Sequence, residues 1–483
     1  MDYFCNKFRR NMIQKKTKIV CTISDRNCSP EFIESLYKEG MNVVRINSAH
    51  TTLQSSLEIV NNTRKVSDKI AILIDTKGPE IRLTEMNPPE GFKVKKGDIV
   101  YFADDINGIS GNYLLYTNYS GFVKDIPVGA SVLIDDGEIK LVVEEKKNGK
   151  LKCVVDNDGT IKGKKSINVP NVSTKLASIT QKDHDFIVWA VENDLDFVAH
   201  SFVRSKSDLD EINGIIKKHK GHLKVIAKIE NKEGVDNIDE IIDNCYGVMV
   251  ARGDLGVEIE AEKIPVIQRE IICKCHSRHK PVIIATQLLH TMIDNPRPTR
   301  AEVNDIASAI FQSTDAIMLS GETANGKYPV ESVRTMKTIA MEIEQHMAPC
   351  TDLKVGSVTW PTAEVLARSL VYATTQLPIK HIVIDTMTGR TGRYVSALRP
   401  KVPIHAKCYK PNVMRELALS FGVYSYFVSL VPSKDDFVKE SAQKLLADKM
   451  VTKSDMIGVL AGSFGVQAGA SFIEVSTIEN MIS

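Results

Sequence analysis

The sequence predicts an α/β protein: a (β/α)8 barrel of the TIM type, a small β-barrel lid inserted into it, and a C-terminal α/β domain. Three observations carry the prediction. Short apolar runs recur with helix-like sequence between most of them. One long gap between runs switches to period-two alternation. A fresh series of short apolar runs begins after about residue 350. With 483 residues the chain is too long for a single core.

The first run is "KIVCTI" (18–23), followed by a helix start with Ser29 as N-cap, Pro30 at the first position and Glu31 in the first turn. Gly40 ends that helix. "NVVRIN" (42–47) and "AILIDT" (71–76) follow. After the gap come "FVAHSF" (197–202), "KVIAKIE" (224–230), "GVMVAR" (247–252), "PVIIAT" (281–286) and "AIMLSGE" (316–322). Eight βα units favour a closed parallel barrel; an open doubly wound sheet is the alternative that strand count alone leaves standing. In the gap, "FKVKKGDIVYFA" and "ASVLIDDGEIKLVVEE" alternate, and Asn148-Gly149 is a hairpin signal. The expected division is an N-terminal extension at 1–16, barrel at 17–81 and 175–350, an all-β lid at 82–174 and an α/β regulatory domain at 351–483.

Composition excludes several classes. Net charge is +2, with 43% apolar and 25% charged residues, so no bulk field points to nucleic acid. No apolar run approaches bilayer length. Nine scattered cysteines suggest free thiols and a reducing cytosol, hence a cytoplasmic protein. "CKCH" (273–276) lacks a second ligand pair and reads as helix. The basic N-terminus could imitate a transit peptide, but strand-like sequence begins almost at once, at Lys18.

The strand ends are polar: Arg45 and Asn47, Asp75 and Thr76, Ser201, Lys228 and Glu230, Arg252 with Asp254 beyond it, Thr286, and Glu322. In a barrel these converge on one face. A single polar residue there is usually a helix cap. Several cations and carboxylates together need one another, because a buried ion needs a partner. Glu230 and Asp254 suit a hard divalent cation that keeps water and substrate in its shell. Lys228, Arg45 and Arg82 would surround an anion. Metal and cations around an anion are the apparatus of phosphoryl transfer. No Walker-type phosphate loop occurs.

"TKIVCTI", "GMNVVRIN", "DTKGPEIR", "KIENKEG", "MVARGDLGVE", "ATQLL", "NPRPTRAEVNDIA" and "IMLSGETANGKYP", in that order, resemble the pyruvate kinases. The resemblance implies transfer of the phosphoryl group of phosphoenolpyruvate to ADP, giving pyruvate and ATP at the end of glycolysis. It implies catalytic roles for Lys228, Thr286 and Arg45. Substrate would also meet Ala251, Arg252, Gly253 and Asp254. Asn47, His50, Arg82 and Lys165 would face the nucleotide. Mg²⁺ (or Mn²⁺) would sit on Glu230 and Asp254, and K⁺ on Asn47, Asp75 and Thr76. Ser320 and Glu322 would form the shell beneath.

The resemblance further implies a homotetramer and a phosphorylated allosteric effector at "DTMTGRTGR", with Thr386, Thr388, Gly389, Arg390 and Thr391, and Arg393 nearby. Met387 interrupts the hydroxyl run, which favours an effector other than a tightly held sugar bisphosphate. This chain also departs from the family pattern at Ala49, where a serine is usual, at Ser24–Asn27 and at His290. Glu80, by contrast, is the residue usual in K⁺-requiring members. Two other function classes are compatible with a charged barrel mouth: a metal-dependent lyase or aldolase, and a non-catalytic metabolite sensor. A lyase would not need Arg82 and Lys165, and a sensor would not need all of Lys228, Glu230 and Asp254.

Overall fold

A computed structural model describes residues 15–350 and 360–483, apart from 112, 431–432, 463 and 465–468. The basic segment read as a transit-peptide imitation lies almost wholly outside the described residues. Lys15 and Lys16, at its end, are buried.

Eight parallel strands close into a barrel. In chain order they are Lys18–Thr22, Val43–Asn47, Ala71–Asp75, Phe197–His200, Lys224–Ile229, Gly247–Ala251, Val282–Ala285 and Ala316–Leu319. The last pairs with the first, Ile19 against Ile317 and Val20 against Met318. The open doubly wound alternative is therefore excluded. Strand periodicity sorts the side chains. Val20, Val43, Leu73, Phe197, Ala199, Ile226, Met249 and Ile283 fill the interior. Their alternates, such as Val44, Ile72, Val198 and Val250, pack on the surrounding helices. Caps begin several of those helices: Ser29 accepts from Phe32 N, and Thr180 and Thr299 each form a reciprocal capping box.

The lid is a seven-stranded sheet with a separate two-stranded ribbon. Its hairpin joins Ile139–Lys147 to Lys150–Val155 through Asn148 and Gly149, at φ 52° and 70°. The outermost strands, Ile81–Arg82 and Leu114–Tyr116, come together at the Leu83–Thr117 bridge. The sheet therefore curls until its edges meet around Val100, Phe102, Leu115, Leu141 and Leu151.

The C-terminal domain is a five-stranded sheet in the order Val423–Phe427, Ile404–Cys408, Ile379–Thr386, Met456–Ala461, Phe472–Thr477. The last strand is antiparallel and was not expected from the sequence. This domain grips the barrel at the N-terminal ends of its strands. Arg415 Nη2 reaches Asp194 at 2.7 Å and Nε reaches Asp196 at 2.5 Å. Arg399 reaches Asp315 at 2.9 Å. Asp196 and Asp315 each immediately precede a barrel strand. The polar strand ends lie at the opposite end. No helix among the described residues is long and apolar enough to cross a membrane.

Candidate active site

Each charge at the barrel mouth is the next inward position on a strand whose earlier inward positions are apolar. Val43 is followed by Arg45, Leu73 by Asp75, and Ile226 by Lys228 and then Glu230. Lys228 Nζ lies 3.0 Å from Asp75 Oδ1, 3.0 Å from Glu230 Oε1 and 2.7 Å from Ser201 Oγ. Arg45 Nε donates to Asp75 Oδ2 at 2.7 Å, and Nη1 to Thr22 Oγ1 at 2.9 Å. Glu230 Oε2 accepts the Phe202 N–H at 2.8 Å. Burial alone would lower the Lys228 pKa, but Asp75 and Glu230 outweigh it and hold it above its ordinary value. Burial likewise opposes ionisation of Asp75, and Lys228 with Arg45 reverses the balance and keeps it below the usual carboxylate range.

Asp254 stands in the first turn of the helix Arg252–Glu258. Burial, and then repulsion from Glu230, push its carboxyl up to about 7. Unlike Asp75, it has no hydrogen bond or ion pair to any described residue. Two neighbouring carboxylates, one of them short of counter-charge, fit a small hard cation that takes few protein oxygens and keeps water. No group of three or more His, Cys, Asp or Glu side chains is arranged to hold a metal among the described residues. "CKCH" lies within the helix Ile264–Ser277, as its sequence suggests, with Cys275 buried and His276 in contact with Arg399.

Thr286 follows its strand at φ 68°, with Gln287 at φ 56°. A β-branched residue in left-handed backbone is strained by about 1–3 kcal/mol, and such strain concentrates at functional sites. Its contacts hold it there. Oγ1 donates to Ala285 O at 2.6 Å and accepts the Gly253 N–H at 3.0 Å. Arg252 Nη2 donates to Thr286 O at 2.8 Å, while Nη1 pairs with Asp305 at 2.8 Å. Thr286 is thereby locked to the turn Ala251–Gly253. Glu322 is buried and accepts the N–H groups of Leu289 and Ser320, at 3.2 and 2.8 Å.

The remaining expected residues are more dispersed. Arg82 makes a two-point pair with Glu80 at 2.8 and 2.6 Å, and Lys165 pairs with Asp135 at 2.8 Å. His50 is exposed at the end of a short 3-10 turn. Asn47 Oδ1 accepts the Ala49 N–H at 3.1 Å, and Thr76 Oγ1 accepts the Ser201 N–H at 3.0 Å. Between lid and barrel lies a cleft of about 400 Å³ whose walls include Glu80, Asp136, Asn168, Phe202, Asp254 and Glu258. Gly78 lies at φ 72° on the path to the lid, where a Cβ would come within 2.7 Å of Ser201 Cβ.

In the C-terminal domain, Thr386 and Thr391 are buried and Gly389, at φ 74°, caps the helix Arg390–Ala397. Arg390 lies over Trp360 and Arg393 over Tyr246, at 5.3 and 5.0 Å. Thr388 stands just before Gly389, its carbonyl 3.4 Å from Arg393 Nη1.

Sequence reasoning missed three members of the mouth: Ser201 as the hydroxyl under Lys228, Thr22 under Arg45, and Asp305 behind Arg252. Ser201 was visible as a strand-end polar residue. Thr22 was visible in the same way, as the next inward position after Val20 on its strand, and Asp305, on a helix, carries no such signal.

The family model of the pyruvate kinase barrel domain matches residues 14–333, and that of the pyruvate kinase alpha/beta domain matches 364–476. The chain belongs to the pyruvate kinase family. It is 44% identical to the pyruvate kinase of Borreliella burgdorferi over 478 residues, covering 98% of this chain and 99% of that one. It is 40% identical to that of Bacillus licheniformis, covering 97% of this chain and 81% of that one. Among solved structures it is similar to a Cryptosporidium parvum pyruvate kinase, with a TM-score of 0.90, 32% identity and 96% of each chain covered. As a pyruvate kinase the chain is a phosphotransferase that converts phosphoenolpyruvate and ADP to pyruvate and ATP, a glycolytic reaction.

Proposed function

We propose that this pyruvate kinase performs its phosphoryl transfer at the barrel mouth, with Lys228, Arg45 and Thr286 as its catalytic residues. The supporting observation is Lys228, a buried ammonium held between Asp75 and Glu230. Glu230 and Asp254 would hold Mg²⁺ (or Mn²⁺), which would supply positive charge to offset the developing negative charge of the reaction.

Arg45 and Lys228 bind the phosphoryl group of phosphoenolpyruvate and neutralise charge as it moves. The turn Ala251, Arg252 and Gly253 meets the substrate carboxylate, for which the Gly253 N–H would exchange Thr286 Oγ1. Asp254 and Thr286 border the same substrate, and Thr286 with ordered water passes a proton to the enolate carbon. Asn47, His50, Arg82 and Lys165 serve the nucleotide. Arg82 and Lys165 would exchange Glu80 and Asp135 for phosphate oxygens on lid closure, which excludes water from the transfer. Asn47, Asp75 and Thr76 would hold K⁺, and a water could stand in where Ala49 offers no side-chain oxygen.

The domain division set out above, a homotetrameric assembly, a cytoplasmic location and a phosphorylated effector at Thr386, Thr388, Gly389, Arg390 and Thr391 complete the reading. The deciding experiment is ADP-dependent release of pyruvate from phosphoenolpyruvate with Mg²⁺ and K⁺, compared between wild type and Lys228→Met. Equal rates in the two proteins would overturn the site assignment.

A further inference from the structure

A second cavity, of about 320 Å³, lies in the C-terminal domain, remote from the barrel mouth. That volume suits a small organic ligand. Its floor belongs to the strands Ile379–Thr386, Ile404–Cys408 and Val423–Phe427, and its far wall to the helix Lys434–Ala447. The floor follows from strand alternation. Ile404, Ala406, Cys408 and Val423 fill the core on one face of the sheet, so His405, Lys407 and Tyr426 occupy the other.

The lining combines apolar surface from Val383, Leu445 and Met450 with the broad ring of Tyr426. Glu440, at its rim, is exposed and has no hydrogen bond or ion pair among the described residues. Lys444 pairs with Asp448 at 3.0 Å. His405 shares a hydrogen bond with His381 at 2.9 Å, and burial keeps it neutral by pushing its pKa down to about 3. Lys407 differs. It is half-buried, its Nζ lies 4.9 Å from the centre of the Phe437 ring, and no carboxylate or carbonyl among the described residues pairs with it. Burial lowers its pKa, and Glu440 partly offsets that. A partly desolvated ammonium beside an apolar cavity calls for an anion.

One ammonium without a guanidinium fork matches a carboxylate better than a phosphate, which gathers several donors. Glu440 and Asp448 at the rim also disfavour a dianion. We propose that this cavity binds a small apolar monocarboxylate, its carboxylate on Lys407 and its hydrocarbon part against Tyr426, Val383 and Leu445.

The test is calorimetric titration of the full chain with 3-phenylpropionate, 3-phenylpropan-1-ol and phenyl phosphate. It is run on wild type, Lys407→Met and the cavity-filling Val428→Trp. The expected result is one site per chain for the carboxylate, with the alcohol and the phosphate each weaker by about tenfold or more. Lys407→Met should lose the preference for carboxylate over alcohol, and Val428→Trp should lose binding. Both variants should keep wild-type turnover and thermal midpoint. Carboxylate binding at wild-type affinity in Lys407→Met lies elsewhere and overturns the proposal. Equal affinity for acid and alcohol, tighter phosphate binding, or no wild-type binding at millimolar probe also overturns it.

Discussion

Lys228 Nζ stands 3.0 Å from Asp75 Oδ1, while the other oxygen of the same carboxylate holds Arg45 at 2.7 Å. One buried anion therefore positions both cations assigned to the phosphoryl group. Asp75→Asn would leave two buried cations short of counter-charge. The expected cost is about 3 kcal/mol of stability, together with loss of most activity. Denaturant unfolding and steady-state rates on one preparation check this; an unchanged unfolding midpoint would contradict it.

Lys228→Met should lower kcat by about a hundredfold or more and shift KM for phosphoenolpyruvate far less, because the charge acts chiefly as the phosphoryl group moves. A change confined to KM would place Lys228 in ground-state binding instead.

Glu230→Gln and Asp254→Asn should each weaken Mn²⁺ binding by about tenfold or more, read by paramagnetic resonance without turnover. Asp254→Asn also removes a carboxyl that repels Glu230 in the metal-free protein. It should therefore leave the metal-free fold as stable as wild type, or more so. Unaltered Mn²⁺ affinity in both variants would displace the metal from this pair.

His200 is fully buried on the outward side of its strand, and neither ring nitrogen has a hydrogen-bond partner in the described structure. Burial pushes its pKa down to about 4, with Asp208, Asp183 and Glu211 only partly compensating. The folded state thus binds fewer protons than the unfolded state between about pH 6.5 and 4. Stability should fall as pH drops through that window, by about 1.4 kcal/mol per unit and about 3 kcal/mol in all from this group. His200→Ala should flatten the profile there. Parallel profiles for the two proteins would show that His200 does not titrate in this way.

Ala49→Ser should lower the K⁺ concentration needed for half-maximal rate by several-fold, since it restores an oxygen beside Asn47 that water otherwise replaces. Full wild-type activity with a tetraalkylammonium salt as the sole monovalent source would remove K⁺ from the reading.

The legible part of this site is the part that periodicity governs. Arg45, Asp75, Lys228 and Glu230 are polar continuations of inward apolar positions, so two-residue spacing alone directs them to one side of their strands. Thr286 was legible by type, but not its left-handed backbone, which is held by Arg252 and Gly253 at the start of the helix that follows the neighbouring strand. The strand Phe472–Thr477 was missed because it is an antiparallel edge whose residues are all partly exposed, so it lacks the continuous apolar run of its parallel neighbours. Arg415 with Asp196, and Arg399 with Asp315, join residues far apart in the chain, and no local pattern announces such pairs.

Asp196 has a consequence beyond joining two domains. Its Oδ2 accepts the backbone N–H of Ile72 at 2.8 Å, while its Oδ1 holds Arg415. Ile72 lies three residues before Asp75 on one straight strand, about 10 Å away at the usual rise per residue. The strand that presents the central carboxylate of the mouth thus hangs from an aspartate braced from two sides, by Arg64 of the barrel at 3.1 Å and by Arg415 of the C-terminal domain, like a shelf levelled partly against a neighbouring wall. A barrel cut free of that wall would keep Asp196 and its Arg64 brace but lose the second brace on the datum that sets the height of that carboxylate.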